Sequence, residues 1–424
     1  MAVSQTVLKR WVFIGSGQTH LLTLKNLLKR VPPEVEILFV SEQVRTPIVE
    51  MFPAFIAGLY RQDEFYVSLE ELLNEVGGKL IKAKIKSIDQ KNKKLKLSDD
   101  SVIEFDLLSV DSDPFIATEQ FPGATSYAHL LLPINDFQNS ILNFCQSLRG
   151  KRKVDLVFIG AGLLSIECAL ALRQRLKIYG ADVFVHVIEL NTEGEAKLVV
   201  ADRVQSELKK YCDSLGFKFH SDVKIKEILA TEILLEDGSR IKSDFTSLAH
   251  TIKAPEFLSK SDLDLYNGFV SINHFLQASN SHIFCVGNTS KDAQKKWLPS
   301  KRQIRKQAKI LAHNLRALSQ QTKLKKYRPN QSDFRMMIDG RGGALAFKGS
   351  LYFKPSHFLW ELKDWVDKKF LESFKVSEKN SEKSSDDSSG RDPKDSTDST
   401  DPKDPKDPNH RDKNDKAPKE VHAG

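Results

Sequence analysis

Gly15-Ser16-Gly17 and Gly160-Ala161-Gly162 are the stretches whose residue types and spacing point most directly to chemistry. Glycines in such a turn let the backbone fold tightly and come close to an anion. A helix starting behind the turn adds unpaired N–H groups and the positive end of its dipole. Each turn is followed, one helix and one strand later, by a carboxylate: Ser41-Glu42 after the first, Glu189 after the second. A carboxylate there can accept hydrogen bonds from ribose hydroxyls. An anion cradle with a ribose acceptor is the chemistry of dinucleotide binding, and the chain carries it twice. The first turn lacks the third glycine of the usual fingerprint, because His20 stands in its place.

The elements that must position these residues can be read from the flanking patterns. Trp11-Val12-Phe13-Ile14 is apolar, β-branched or aromatic, as a buried parallel strand should be. Leu21, Leu22, Leu24, Leu27 and Leu28 then fall on one helical face, and Val35 to Val40 forms the next strand after Pro32-Pro33. The second unit runs from the strand Val154–Ile159 through a helix, Cys168 to about Leu176, to the strand Val183–Ile188. Thr46 to Tyr60 reads as an apolar loop, and a helix from Ser68 to about Val76 leads through Gly77-Gly78 into one segment, Lys79–Ile88. Lys94–Ser98 and Val102–Phe105 form a hairpin, and the buried strand Leu107–Val110 ends in Asp111-Ser112-Asp113-Pro114. Beyond Glu189 the same order recurs: a helix from Val204, strands at Lys218–His220 and Val223–Leu229, a hairpin around Asp237-Gly238, and the strand Phe245–Ala249. This is an internal duplication in pattern. A late strand enters Gly287-Asn288, a basic helix spans Pro299 to Leu318, and a hairpin and the helix Phe358–Phe374 follow.

The expected fold is α/β, with two Rossmann-like three-layer dinucleotide-binding domains, the second inserted in the first, and a small C-terminal α+β region. The expected boundaries are 1–150 with 251–333, 151–250, 334–374 and 375–424. The last segment has no aromatic residue and repeats Asp-Pro-Lys at Asp392, Asp401 and Asp404. It cannot bury enough apolar surface to offset its ordering entropy and is expected to be disordered. The net charge of +8 is spread as surface lysine. The basic stretch Lys301–Lys309 lacks interleaved aromatics, so no nucleic-acid partner is expected. Cys145, Cys168, Cys212 and Cys285 have no metal spacing, and no metal is expected. The absence of a signal peptide or a spanning apolar run points to a cytoplasmic protein.

The GSGQTH turn at 15–20, Thr46-Pro47 through Gly58, Asp111, Gly340–Gly349 and Trp360–Asp367 together resemble the two-dinucleotide-binding flavoproteins. These are the pyridine nucleotide-disulfide oxidoreductases and type II NADH dehydrogenases. The chain is most similar to the NADH-dehydrogenase-like modules fused to selenide, water dikinases, over nearly all of residues 7–374. The resemblance implies FAD at Gly15 and Gly17, with its adenosine ribose near Ser41 and Glu42. It implies NADH at Gly160 and Gly162, with Glu189 clamping the ribose, and Glu167 near the nicotinamide. Several residues depart from the family pattern at cofactor positions. Gly287-Asn288 replaces Gly-Asp at the ribityl chain, Asp113 a small residue, and Thr251-Ile252 a Thr-Gly. Glu50, Lys301 and Arg302 stand where small or apolar residues border the flavin.

A disulfide reductase needs a cysteine pair after the first turn, and residues 18–60 contain none. Hydride transfer from NADH to FAD, and then to a quinone or another small acceptor, is the expected reaction. Phe358, Leu359, Leu362, Val366, Phe370 and Phe374 form an apolar stripe on the last helix, flanked by Lys363, Lys368 and Lys369. Related enzymes lay such a helix on a membrane, so Phe358–Phe374 is a candidate for peripheral contact at the inner face. The five departures keep a second reading open: a relative that has lost catalysis and serves as a nucleotide sensor or scaffold.

Overall fold

The computed structural model describes residues 9–148, 153–190, 200–250, 252–291, 300–329 and 333–375. The Asp-Pro-Lys tail, most of the link at 149–153, Thr251 and Pro299 lie outside them.

The run Trp11-Val12-Phe13-Ile14 is at most 1% exposed and forms the middle of a five-stranded parallel sheet. The strand Lys9–Ile14 pairs with Val35–Val40 on one side and Leu107–Val110 on the other; Lys79–Ile81 and Ile283–Cys285 close the two edges. Burial on both faces explains why these strands are uniformly apolar instead of alternating. The second sheet has the same build. Lys153–Ile159 is central, with Asp182–Ile188 and Phe217–His220 on one side and Phe245–Leu248 and His129–Leu130 on the other, all parallel. Each half also carries a three-stranded antiparallel sheet before its return strand, at Ile85–Glu104 and Ile225–Lys242. All strands of the second sheet fall, in sequence, between Val110 and Ile283 of the first.

Three local expectations change. Lys79–Ile88 divides into Lys79–Ile81, an edge of the parallel sheet, and Ile85–Asp89, which pairs antiparallel with Lys94–Leu97. The chain changes sheets there, so one strand cannot serve both. The segment read as an apolar loop folds instead into a short strand, Arg45–Pro47, and a helix, Phe52–Ile56. Pro53 sits in the first turn, where its missing N–H costs nothing. The helix placed at Pro299 begins at Lys301, because the Ser300 hydroxyl accepts the Gln303 N–H at 3.2 Å and caps it.

The C-terminal strands Arg335–Ile338, Ala344–Lys348 and Leu351–Ser356 form an antiparallel sheet, against which the helix His357–Glu372 packs. That helix buries Leu359, Lys363, Asp367 and Phe370. Phe358, placed on the apolar stripe from sequence, is 69% exposed, and Lys363, expected at its solvated flank, is 2% exposed.

Candidate dinucleotide sites

In the first turn Gly15 has φ +84°, and a Cβ there would lie 2.5 Å from the carbonyl oxygen of Asp111. A Cβ on Gly17 would lie 2.2 Å from the Asp111 carboxyl carbon, and one on Gly287 (φ +62°) 1.9 Å from its Oδ1. Gly17 and Gly287 therefore enclose the carboxylate, while Gly15 abuts the backbone of the same residue. The helix Gln18–Leu27 starts at Gly17, which has no side chain to cap it. Asp111 supplies the cap from the neighbouring strand: its Oδ2 accepts the His20 N–H at 3.1 Å, and Thr19 adds further hydrogen bonds. Burial, with nearby Asp113 adding to it, raises the Asp111 carboxyl to about 7 against the pull of these N–H groups.

His20 has a structural task. Its Nδ1–H donates to the Gly15 carbonyl at 2.8 Å, and Nε2, also at 2.8 Å, accepts from the Ser109 hydroxyl. A carbonyl only accepts, which fixes this tautomer. The ring lies edge-on against Phe13 and Phe39. Burial lowers its pKa to about 3, so it is neutral at ordinary pH. The third glycine of the fingerprint permits close helix–strand packing; here a histidine ties turn and strand together by hydrogen bonds.

The other residues expected here collect at the same C-terminal ends of the strands. Ser41 is buried, and its hydroxyl closes a local turn with Gln43; Glu42 is exposed. Thr46 Oγ1 donates to the Ser16 carbonyl at 2.5 Å, tying the Thr46-Pro47 segment to the glycine turn. Gly287 N–H donates to Gln307 Oε1, and Asn288 is exposed in the turn Gly287–Thr289. Thr289 bonds both the N–H and the carbonyl of Ser112 at 2.8 Å, joining the two loops. Asp113 is open to solvent yet recessed among protein atoms, which raises its carboxyl.

The second turn repeats the backbone. Gly160 has φ +100°, and its Cβ would lie 2.6 Å from the Ala249 carbonyl oxygen; the space a Cβ would take at Gly162 is open. Ser165, at the place His20 holds in the first turn, has a buried hydroxyl with no partner among the described residues. The Glu189 carboxylate accepts from Lys209 Nζ at 2.7 Å and from the Ser221 hydroxyl. Ile252, read in place of a glycine, pairs with Ile116 across a two-stranded ribbon.

Glu167 is buried near the start of the helix Leu163–Ile178, and its Oε1 accepts the Ile338 N–H at 2.9 Å. Burial lifts its carboxyl to about 7, opposed by Lys363. Lys363 Nζ bonds Asp367 Oδ2 at 2.7 Å and the Glu50 carbonyl at 2.9 Å, and Lys301 pairs with the other Asp367 oxygen. Arg335 interacts electrostatically with Glu50 and Glu167. Glu50, Glu167 and Asp367 thus lie within electrostatic reach of Lys301, Lys363 and Arg335, with Asp333 also acting on Arg335. Lys301 is committed to Asp367, while Arg302 is exposed. Sequence reasoning missed Lys363 and Asp367; their i, i+4 spacing inside the stripe Leu359–Phe370 was the available signal. A separate cavity of about 570 Å³ between the C-terminal helix and residues 45–72 touches neither glycine turn.

Two five-stranded parallel sheets that share the order of four strands, each with a glycine turn at its carboxyl edge, define a two-dinucleotide oxidoreductase. Residues 9–308 match the pyridine nucleotide-disulphide oxidoreductase family, and the chain belongs to it. It is an oxidoreductase of this flavoprotein family, with FAD and NAD(H) as cofactors. The fold is shared with the sulfide:quinone oxidoreductase of the hyperthermophilic bacterium Aquifex aeolicus. That match has TM-score 0.71 and 19% identity, covering 86% of this chain and 91% of that one. NDH2 from Plasmodium falciparum in complex with NADH matches with TM-score 0.69 and 11% identity, over 86% and 97% of the two chains. Water-forming NADH oxidase from Lactobacillus brevis, bound to NADH, gives TM-score 0.64 and 16% identity, over 80% and 74%.

The second turn fits a dinucleotide diphosphate, with open space at Gly162 and a free hydroxyl at Ser165. The first has the backbone shape for one, and an exposed Glu42 and Asn288 beside it, but Asp111 adds a negative charge.

Proposed function

We propose that the chain takes a hydride from NADH and delivers the electrons to a quinone or another small acceptor. In this reading residues 1–150 and 251–333 hold FAD, 151–250 hold NADH, and 334–374 form a C-terminal unit. Gly15 and Gly17 would face the FAD diphosphate, Ser41 and Glu42 its adenosine ribose, and Gly287 with Asn288 its ribityl chain. Gly160 and Gly162 would receive the NADH diphosphate, and Glu189 its ribose hydroxyls. Bound flavin supplies the ring that accepts the hydride and passes electrons on.

What the protein adds is position and proton control. Glu167, with a pKa of about 7 and one oxygen held by the Ile338 N–H, can keep or release a proton near neutral pH at its other oxygen. The observation that carries the reading is the open cradle at Gly162 directly before the helix that bears Glu167. The test is the visible spectrum of purified protein. Flavin bands that NADH bleaches without oxygen, and that a soluble quinone restores, are expected. A colourless protein that takes up no added FAD would overturn the reading.

For the membrane, Phe334, Leu351, Phe353, Phe358 and Trp365 are exposed apolar side chains of the C-terminal unit, and Lys369 lies over the Trp365 ring. This supports peripheral contact by that face. No helix among the described residues is long and apolar enough to cross a membrane.

A further inference from the structure

We propose that Asp111 acts as a built-in anion that competes with the FAD diphosphate for the first helix N-terminus, so that this chain holds flavin weakly and loses it readily. The inference rests on the reading that the first glycine turn is the flavin side.

The internal duplication provides the comparison. Asp111 N–H donates to the Ile14 carbonyl at 2.9 Å, and Ala249 N–H donates to the Ile159 carbonyl at 2.8 Å. A Cβ on Gly15 would abut the Asp111 carbonyl as one on Gly160 would abut that of Ala249. The two residues hold the same place in the two halves. With alanine at that place, the space over Gly162 is open and the Ser165 hydroxyl has no partner among the described residues. With aspartate, the carboxylate fills the space over Gly17 and takes the His20 N–H. The glycines that keep side chains out of the first cradle therefore make room for a side chain from the adjacent strand. An incoming diphosphate must share N–H groups already used, beside a negative charge in a water-poor site where such repulsion is poorly screened.

The groups facing Asp111 are few. His20 is neutral with its ring fully bonded, Cys285 is held well above the usual thiol range by burial and by Asp111, and Asp113 is the only other carboxylate acting on it among the described residues. The repulsion should fade as Asp111 takes up a proton, and Asp113 is the group that must be controlled for.

The experiment measures FAD dissociation constants by flavin fluorescence for wild type, D111N, D111A and D113N between pH 8 and pH 6. Thermal melts check that each variant folds. D111N keeps the volume and hydrogen-bonding reach of aspartate, so it guards against loss of fold in D111A. The expected result is FAD binding at pH 8 about tenfold or more tighter in D111N and D111A than in wild type. Wild type and D113N should tighten as pH falls, and D111N should not. The reciprocal variant A249D should lose NADH affinity by a similar factor while its FAD affinity stays unchanged. If folded D111N and D111A bind FAD no better than wild type, and wild type binds it tightly, the inference fails while the oxidoreductase reading stands. If none of the folded proteins binds FAD, both fail. If only the Asp111 variants bind it measurably, the inference holds in its strongest form.

Discussion

At position 20 an imidazole replaces the hydrogen atom that a third glycine would offer, and the local energetics change with it. His20→Ala would leave the Gly15 carbonyl and the Ser109 hydroxyl buried without partners and open a hole against Phe13 and Phe39. A loss of about 2–4 kcal/mol is expected in denaturant unfolding. The pH dependence follows from the same burial. Its pKa falls from 6.5 unfolded to about 3 folded, so between those values the unfolded chain binds the extra proton. The stability of a neutral His20 is present above pH 6.5 and is lost as pH falls toward 3. Wild type should therefore lose stability over that window more steeply than His20→Asn, as read from unfolding midpoints. Sequence reading identified the glycines here and even the absence of the third one. It did not reveal what fills the gap, because Ser109 and Asp111 reach the turn only through strand pairing across some ninety residues.

At the scale of elements, the apolar runs around Phe13 and Phe158 were legible because both faces of those strands are buried. Less legible was which face of a helix turns inward. On His357–Glu372 the buried row is Leu359, Lys363, Asp367 and Phe370, since the two charges satisfy each other and Lys301 beneath the helix. Hydrophobicity alone assigns Lys363 and Asp367 to solvent. The consequence is that Phe358 and Trp365 stay outside, as Phe353 and Leu351 of the preceding strand do. If this face rests on lipid, the double substitution Phe358→Ser with Trp365→Ser should weaken binding to phosphatidylglycerol vesicles by about tenfold or more, since burying each aromatic contributes about 1.5–3 kcal/mol. Co-sedimentation measures it, and unchanged binding would remove the helix from any membrane role.

For the whole molecule, repetition explains both what could be read and what could not. Strand, glycine turn, helix, strand and acid recur because each half solves the same packing problem, and that grammar survives in the sequence. The acids then differ: Glu42 is exposed, while Glu189 is ion-paired with Lys209. If the halves divide the cofactors as proposed, Glu189→Ala should weaken NADH binding by about tenfold, the order expected for losing a charged hydrogen bond, and leave FAD binding alone. Glu42→Ala should do the reverse, and titration of each variant with both ligands separates the cases.

The edge strand Ile283–Cys285 completes a sheet whose other four strands lie before residue 111. During synthesis on the ribosome, Leu107–Val110 must therefore wait with an apolar, unpaired rim until the whole intervening half has emerged. Such a rim is a template for mispairing with another nascent chain. Translation of this protein should lean on chaperone protection through that interval, and a pause just before residue 283 would be its most hazardous moment.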